Sequence, residues 1–385
     1  MEKISIQAAS AHYDALIGRG VMNQCGQLIA AVLRGPRCAV VADERTAPLF
    51  AGKVQASLRA AGFAPVSITI PAGEGAKTLV QAGAICDAMA AAGLDRTSFV
   101  VALGGGVVGD LAGFVAAIYL RGIPHVQIPT TLLAQVDSAI GGKTAVNTAH
   151  GKNLLGAVHQ PSLVIADVAA LEKLPAREFN QGFAEIIKHA IIADASLFSR
   201  LCELDRGDLS GLIARNIEIK AAIVARDERD VSGARAILNF GHTVGHAIER
   251  ASGYGTLLHG EAISLGLVAA CEISVRKAGL PKTDRGKIVA ALEAFSLPTK
   301  LPPDFPREKI LPGVMADKKF ERGEVRFVVS PGLGTAHLTK DVTLDDIRAA
   351  IALLYRRSMT AENVDSSEGA GGHRPPLQFQ FRAAR

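Results

Sequence analysis

The stretch Phe99–Leu120, "FVVALGGGVVGDLAGFVAAIYL", constrains this chain more than any other. It is apolar enough to resemble a membrane span, yet it holds the glycines Gly104–Gly106 and Gly109 and the carboxylate of Asp110. A carboxylate at mid-span costs on the order of 2.5–3.5 kcal/mol even on the insertion scale. The stretch therefore reads as a buried strand that turns sharply into a helix. A strand with no polar face has to be covered on both sides, as in a parallel sheet flanked by helices.

The neighbouring sequence fits that demand. An opening pair, "KISIQA" and "YDALIG", is followed by the strands "CAVVAD", "APVSITIP", "SFVVALG" and "HVQIPT". Between them lie the helical runs "APLFAGKVQASLRAAG" and "TLVQAGAICDAMAAAG". This alternation predicts an α/β nucleotide-binding domain over residues 1–174, Rossmann-like and with a mostly parallel sheet. From Pro175 onward the pattern becomes helical ("REFNQGFAEIIKHAIIAD", "LSGLIARNIEIKAAIVARDERD", "GHTVGHAIERASG", "GEAISLGLVAACEISVRKAG") with few strand signals. An all-α domain is expected over 175–358, and the Gly-, Ser- and Pro-rich 359–385 reads as a disordered tail.

Charge narrows the partners. The 42 Lys and Arg residues are interspersed with 37 Asp and Glu for a net +5. That favours small anionic ligands over a nucleic-acid stripe. Cys25, Cys38, Cys86, Cys202 and Cys271 are scattered without a C-x-x-C, the pattern of reduced thiols. The start "MEKISIQAAS" has no apolar core of a signal peptide, so a cytoplasmic protein without a membrane partner is expected.

Gly104, Gly106 and Gly109 form G-x-G-x-x-G between strand and helix. Such a turn lets the backbone approach a pyrophosphate, whose charge the helix N-terminus favours. No acid follows about 20 residues on, as the ordinary fingerprint requires. Asp43, ending "CAVVAD", is the better candidate for ribose hydroxyls. Downstream, "IPTTLLAQVDSAIGGKTAVNTAHGKNLLGA" reads as a Gly-rich loop that concentrates Thr130, Thr131, Asp137, Lys143, Asn147, Lys152 and Asn153. Lysines and amides together suit recognition of a phosphate and a polyol. In "ILNFGHTVGHAIE", His242 and His246 stand one helical turn apart on one face. On spacing alone they are equally a metal-binding pair or a packed core pair.

Taken together, these stretches resemble the 3-dehydroquinate synthase family. The resemblance is carried by "PAGEGAKT", "ALGGGVVGDLAGFVAAIYLRG", "IPTTLLAQVDSAIGGKTAVN", "GKNLLGA", "GFAEIIKHAII", "LNFGHTVGHAIE", "LHGEAISLG" and "DKK", in one order from about Glu74 to Lys319. It implies conversion of 3-deoxy-D-arabino-heptulosonate 7-phosphate to 3-dehydroquinate and phosphate, the second step of the shikimate pathway. The implied course is transient oxidation of an alcohol by NAD, β-elimination of phosphate, reduction, ring opening and an intramolecular aldol closure.

The resemblance also implies site residues. A zinc ion, for which cobalt is an alternative, would be held by Glu185, His242 and His259, which makes 175–358 the metal-binding domain. His246, Lys188, Glu185 and Asn239 would be catalytic, with His246 a phosphate contact and proton-transfer group. Arg121, Asp137, Lys143, Lys152, Asn153, Arg235 and Lys318 would bind substrate, Arg121 from the neighbouring subunit of a homodimer. NAD would meet Asp43, Glu74, Lys77, Gly105, Gly106, Val107, Asp110, Thr130, Thr131, Lys143 and Lys152, with Asp110 accepting free N–H groups at the start of its helix. Arg45 and Lys173 depart from the family's usual residues near the cofactor, and His189 reads as a packing or surface histidine beside a motif lysine.

Overall fold

The computed structural model describes residues 1–202, 209–253, 256–315, 320–321 and 324–355. Its strands in the first half are β1 (Glu2–Gln7), β2 (His12–Gly18), β3 (Arg37–Asp43), β4 (Ala64–Ile70), β5 (Phe99–Gly104), β6 (His125–Pro129), β7 (Lys143–Thr148), β8 (Gly151–Val158) and β9 (Leu163–Asp167). The helices are α1 (Cys25–Ala30), α2 (Gly52–Ala60), α3 (Leu79–Ala91), α4 (Gly106–Ile118), α5 (Ala176–Asn180), α6 (Gly182–Ala193), α7 (Ala195–Cys202), α8 (Leu209–Arg226), α9 (His242–Ala251), α10 (His259–Lys277), α11 (Lys282–Ala294), α12 (Ile310–Met315) and α13 (Leu344–Leu353). Contacts divide the chain into two compact units, Met1–His189 with Leu204–Arg235, and Ala190–Glu203 with Ala236–Arg385. This division falls within α6 rather than at Leu174, and it returns α8 to the first unit.

The first unit is built on a seven-stranded sheet in the order β1-β2-β9-β6-β5-β3-β4. Only β1–β2 is antiparallel; every other pairing is parallel. Strand alternation divides the core between the two faces. Cys38, Val40, Ala42, Val101 and Leu103 pack with Ile29 of α1 and with Val54 and Leu58 of α2. Ala39, Val41, Val100 and Ala102 pack on the other face with Ile85 and Met89 of α3 and Leu111 and Val115 of α4. The apolar stretch read as a strand and helix is β5 followed by α4, and no described helix is long and apolar enough to cross a membrane.

The chain leaves β3 toward β4 on one side and leaves β5 toward β6 on the other. The strand order thus reverses between β3 and β5, and ligands of open α/β sheets bind beyond the carboxyl ends of strands at such a point. Asp43 and Gly104 end those two strands.

Two expectations are corrected here. The segment after β6 is not an open loop. It forms a π-helical turn at Ala134–Ser138 and the antiparallel hairpin β7–β8, whose Thr144, Ala145 and Val146 are buried. The second unit, although helical, also carries a hairpin of Phe327–Gly332 and Thr335–Thr339. Asp317, Lys318 and Lys319, and the tail 359–385, lie outside the described residues.

In the second unit α10 is the central helix, packed by α9, α11, α13 and the Phe327–Gly332 strand. It is buried nearly all round from Ala262 to Cys271, as a core helix must be. Its closest crossing is with α9. A methyl group on Gly266 would lie 2.1 Å from the Gly241 carbonyl oxygen and 2.7 Å from the Gly245 nitrogen. Backbone sits directly against backbone there, so no side chain can move aside.

Gly266→Ala is therefore expected to lower stability by about 1–3 kcal/mol through overpacking. Gly286, exposed on α11 with nothing near its would-be side chain, is the control. Gly286→Ala should stabilise by roughly 0.5–1 kcal/mol. Paired thermal or denaturant melts check both signs.

Candidate active site

The glycine turn sits where the strand order reverses. Helix α4 starts at Gly106 with no side chain capping its first N–H groups. Methyl groups on Gly105 and Gly106 would stand 3.1 Å from Thr131 Cγ2 and 3.1 Å from Ser138 Oγ, so side chains there would fill the space over the helix end. Val107 lies in the same first turn. Gly104 and Gly109 serve packing instead, since methyl groups would meet Val108 at 2.6 Å and Gln127 at 2.8 Å. Thr130 donates its N–H to the Gly104 carbonyl at 3.0 Å, and Thr131 Oγ1 accepts from Ala134 at 3.2 Å. Asp43 Oδ1 accepts the N–H groups of Arg45 at 3.0 Å and Thr46 at 2.7 Å, which fixes the carboxylate at the strand end. This arrangement fits a dinucleotide, with the helix N-terminus for the pyrophosphate and the carboxylate for a ribose.

Beside it lies a polar network. The buried Lys77 ammonium pairs with Asp110 and also donates to Asn153 Oδ1. Asn147 donates to Glu74 at 2.8 Å and accepts the Asn153 N–H at 3.0 Å, and Lys152 stands 3.5 Å from Glu74. Asp110 thus sits beyond the first turn of α4 and answers Lys77, not the helix's free N–H groups. Burial pushes its carboxyl up, with Lys77 pulling against it. Asn153 adopts a left-handed backbone (φ 55°) at the start of β8.

The second focus of the first unit is Asp137 on the π-helical turn, a backbone form common at functional sites. Helix α6 approaches closely because Gly182 has no side chain; a methyl group would lie 2.7 Å from Leu132. Helix α8 also packs on the turn. Asp137 Oδ1 lies 2.9 Å from Lys220 Nζ, 3.9 Å from Lys188 Nζ and 3.5 Å from His189 Nε2. Lys188 pairs with Glu185, and both are almost fully buried. Burial would raise the Asp137 carboxyl, but Lys220 and Lys188 hold it well below the usual carboxylate range. Burial brings Lys220 down to about 8 despite Asp137. Asp137, Glu185 and His189 are near enough to hold a cation. The ammonium groups of Lys220 and Lys188 already facing Asp137 make that trio a poor metal site.

Arg235 is buried and fixed by its guanidinium, which donates to the Gly141 carbonyl at 3.2 Å and the Glu228 carbonyl at 2.7 Å. Gly141 (φ 93°) has to be glycine, because a methyl group would lie 2.6 Å from that guanidinium. Lys143 pairs with Asp230 at 2.6 Å. Arg121 is exposed on a turn whose Leu120 and Arg121 both have positive φ. Asn239 ends a short 3-10 turn, Ala234–Asn239, just ahead of α9.

In the second unit, His242, His246 and His259 converge, with ring centroids 5.1–5.8 Å apart. Their ligand nitrogens are close enough together for one metal ion. His242 Nδ1 donates to the Phe240 carbonyl at 3.1 Å, and His259 Nδ1 faces the buried Glu249 carboxylate at 3.4 Å. A metal-bound histidine is held in this way, through its other ring nitrogen, with Nε2 left for the ion. The donor set therefore fits a divalent cation.

Sequence reading missed Lys220, Asn216 and Glu249, whereas His189, read as a packing or surface histidine, is fully buried. A signal for Lys220 was present: with Ile217 and Val224 it occupies the buried stripe of α8, where a lysine needs a reason. Glu249 lies two turns from His242 on the same side of α9.

Family comparison decides the assignment. The family model described as 3-dehydroquinate synthase N-terminal matches residues 67–181, and 3-dehydroquinate synthase C-terminal matches 182–320. The 3-dehydroquinate synthase of Desulforamulus reducens is 45% identical over 359 residues, covering 91% of this chain and 100% of the relative. That of Symbiobacterium thermophilum is 47% identical, covering 89% and 98%. The chain belongs to the 3-dehydroquinate synthase family. Among solved structures it is similar to 2-deoxy-scyllo-inosose synthase complexed with carbaglucose-6-phosphate, NAD+ and Co2+ (TM-score 0.83, 25% identity, 91% and 99% covered). It is also similar to 2-epi-5-epi-valiolone synthase from Streptomyces hygroscopicus with NAD+ and Zn2+ bound (TM-score 0.82, 28% identity, 92% and 99% covered).

For this 3-dehydroquinate synthase family member, the Lys220 value carries a sign. As the pH rises through about 8 the ammonium is lost and Asp137 loses its nearest cation. The profile of kcat/KM, which reports free-enzyme groups, should fall above pH 8. Lys220→Met should be slower at all pH values and lack that limb.

Proposed function

We propose that this chain converts 3-deoxy-D-arabino-heptulosonate 7-phosphate to 3-dehydroquinate and phosphate, with NAD and a divalent ion as cofactors. The observation that carries the reading, alongside family membership, is the second unit's histidine cluster with orienting acceptors on His242 and His259. When bound, the nicotinamide takes up and returns one hydride while the ion, Zn2+ or Co2+, acts as a Lewis acid on substrate oxygens.

Glu185, His242 and His259 are the proposed ligands. Asp43, Glu74, Lys77, Gly105, Gly106, Val107, Asp110, Thr130, Thr131, Lys143 and Lys152 are the proposed cofactor contacts; the glycine cradle at the strand-order reversal supports them. Asp137 accepts from a substrate hydroxyl. Lys143, Lys152, Asn153, Lys188, Arg235 and Lys318 bind the substrate's carboxylate, phosphate and hydroxyls, and positioned donors of this kind stabilise a developing enolate. Asn239 helps to orient the substrate, and His246, on the exposed side of α9, moves the proton at the phosphate.

A homodimer completes the proposal. Strand β8 pairs only with β7 among the described residues, and it exposes Leu154, Leu155 and Val158 along its edge. His159, at its end, donates to the Ile123 carbonyl at 2.9 Å and ties that edge to the turn bearing Arg121 and the exposed Leu120. An apolar open edge of this kind suits a second copy. Cys25, Cys38, Cys86 and Cys271 are free thiols, which supports a reducing compartment, the cytoplasm.

Phosphate release from the heptulosonate phosphate should require NAD+, stop with a chelator, and leave no net NADH. Glucose 6-phosphate and sedoheptulose 7-phosphate should not turn over. Net NADH would point to a polyol dehydrogenase instead. Glu249→Gln should weaken metal affinity by about 10- to 100-fold in competition with a chromogenic chelator, and an unchanged affinity would remove Glu249 from this role.

A further inference from the structure

The hairpin β7–β8 loses its register where two of the proposed substrate contacts stand. Val146 pairs with Leu155 and Thr148 with Gly151, so Asn147 alone faces Lys152, Asn153 and Leu154. A bulge of this kind takes backbone groups out of the ladder and re-aims side chains. Asn153 sits in it with a left-handed φ of 55°, a conformation that Asn tolerates better than most residues. Its N–H, out of the ladder, donates to Asn147 Oδ1 at 3.0 Å. That fixes the Asn147 amide, whose Nδ2 can only donate and meets Glu74 Oε1 at 2.8 Å. The Asn147 backbone N–H donates to the Lys77 carbonyl at 2.8 Å, and Lys77 Nζ donates to Asn153 Oδ1. Asn153 is thus held at its N–H and at its side-chain oxygen. Among the described residues its Nδ2 donates to no protein group, and the residue is exposed while Asn147 is half-buried.

We infer that Asn147 is a positioning residue that ties the bulge at Asn153 to the Glu74–Lys77 segment, so that the Asn153 amide is presented to substrate beside the cofactor contacts. This rests on the reading of Asn153 as a substrate ligand. Without the Asn147 side chain the Asn153 N–H has no partner, and a left-handed residue released in this way relaxes toward the roomier extended region. Lys77 then holds only the far end of a side chain whose backbone has moved.

The test is a pair of double-mutant cycles on phosphate release by the metal-loaded full chain at saturating NAD+. Asn147→Ala should lower kcat/KM by about 10- to 100-fold, the scale of a contact displaced by about an ångström. In the Asn153→Ala background it should cost nothing further, because coupled residues are non-additive. Equal losses in both backgrounds would mean a merely structural role and overturn the inference. The second cycle serves also where Asn147→Ala does not fold. Asn147→Asp keeps the acceptor for Asn153 but sets a carboxylate against Glu74, and adding Glu74→Gln restores a donor there. Glu74→Gln should therefore raise turnover beside Asn147→Asp and not in the parent chain; the same factor in both would overturn the inference. Full turnover by Asn153→Ala alone would instead overturn the reading of Asn153 on which the inference stands.

Discussion

A charge taken out of water has to be answered where it stands, and the first unit is arranged around that requirement. Asp110 is answered by Lys77, Glu185 by Lys188, and Asp137 by Lys220 and Lys188, while Arg235 is answered by backbone carbonyls. Removing one partner of a buried pair typically costs about 3–5 kcal/mol, whereas the intact pair adds little net stability. These groups are therefore poor instruments of stability. What they supply is a set of carboxylates and ammonium groups held at fixed positions beyond the carboxyl ends of the sheet strands.

The scaffold explains why those positions are reachable. Parallel strands β3 and β5 end together, and the reversal of strand order between them leaves the helix end of α4 open. Gly182 and Gly141 then allow α6 and the Arg235 guanidinium to come within contact of neighbours that a methyl group would block. In the second unit the same device works at Gly266, where α10 meets the backbone of Gly241 and Gly245 and so brings His259 beside His242 and His246. Close approach of backbone, more than any favourable contact, sets the geometry of both side-chain clusters.

Much of this was legible in the sequence. Strands β3 and β5 have continuous apolar cores, which have one reading once a membrane span is excluded, and the glycine turn after β5 follows from its position between strand and helix. The hairpin β7–β8 was not legible, because "KTAVNT" and "GKNLLGAV" contain the glycines, lysines and asparagines of a loop. Their strand character comes from pairing with each other and from packing on α4, a tertiary cause that composition does not register. Lys220 and Glu249 were hidden for a related reason. Each lies inside a helix, and its partner is on another helix or a distant turn.

The pairing of Lys143 with Asp230 and of Lys152 with Glu74 bears on the role proposed for these lysines toward an anionic substrate. A lysine free in water loses up to about 2 kcal/mol of rotamer entropy when it is immobilised. A lysine already held by a carboxylate has met that cost during folding, so a phosphate or carboxylate arriving there meets an ordered donor. The same partner carboxylate weakens the local positive field, which favours a ligand bearing several well-placed oxygens over a simple anion. In the proposed function, specificity for a phosphorylated sugar acid then rests on the number and spacing of held donors more than on the net charge of +5 on the whole chain.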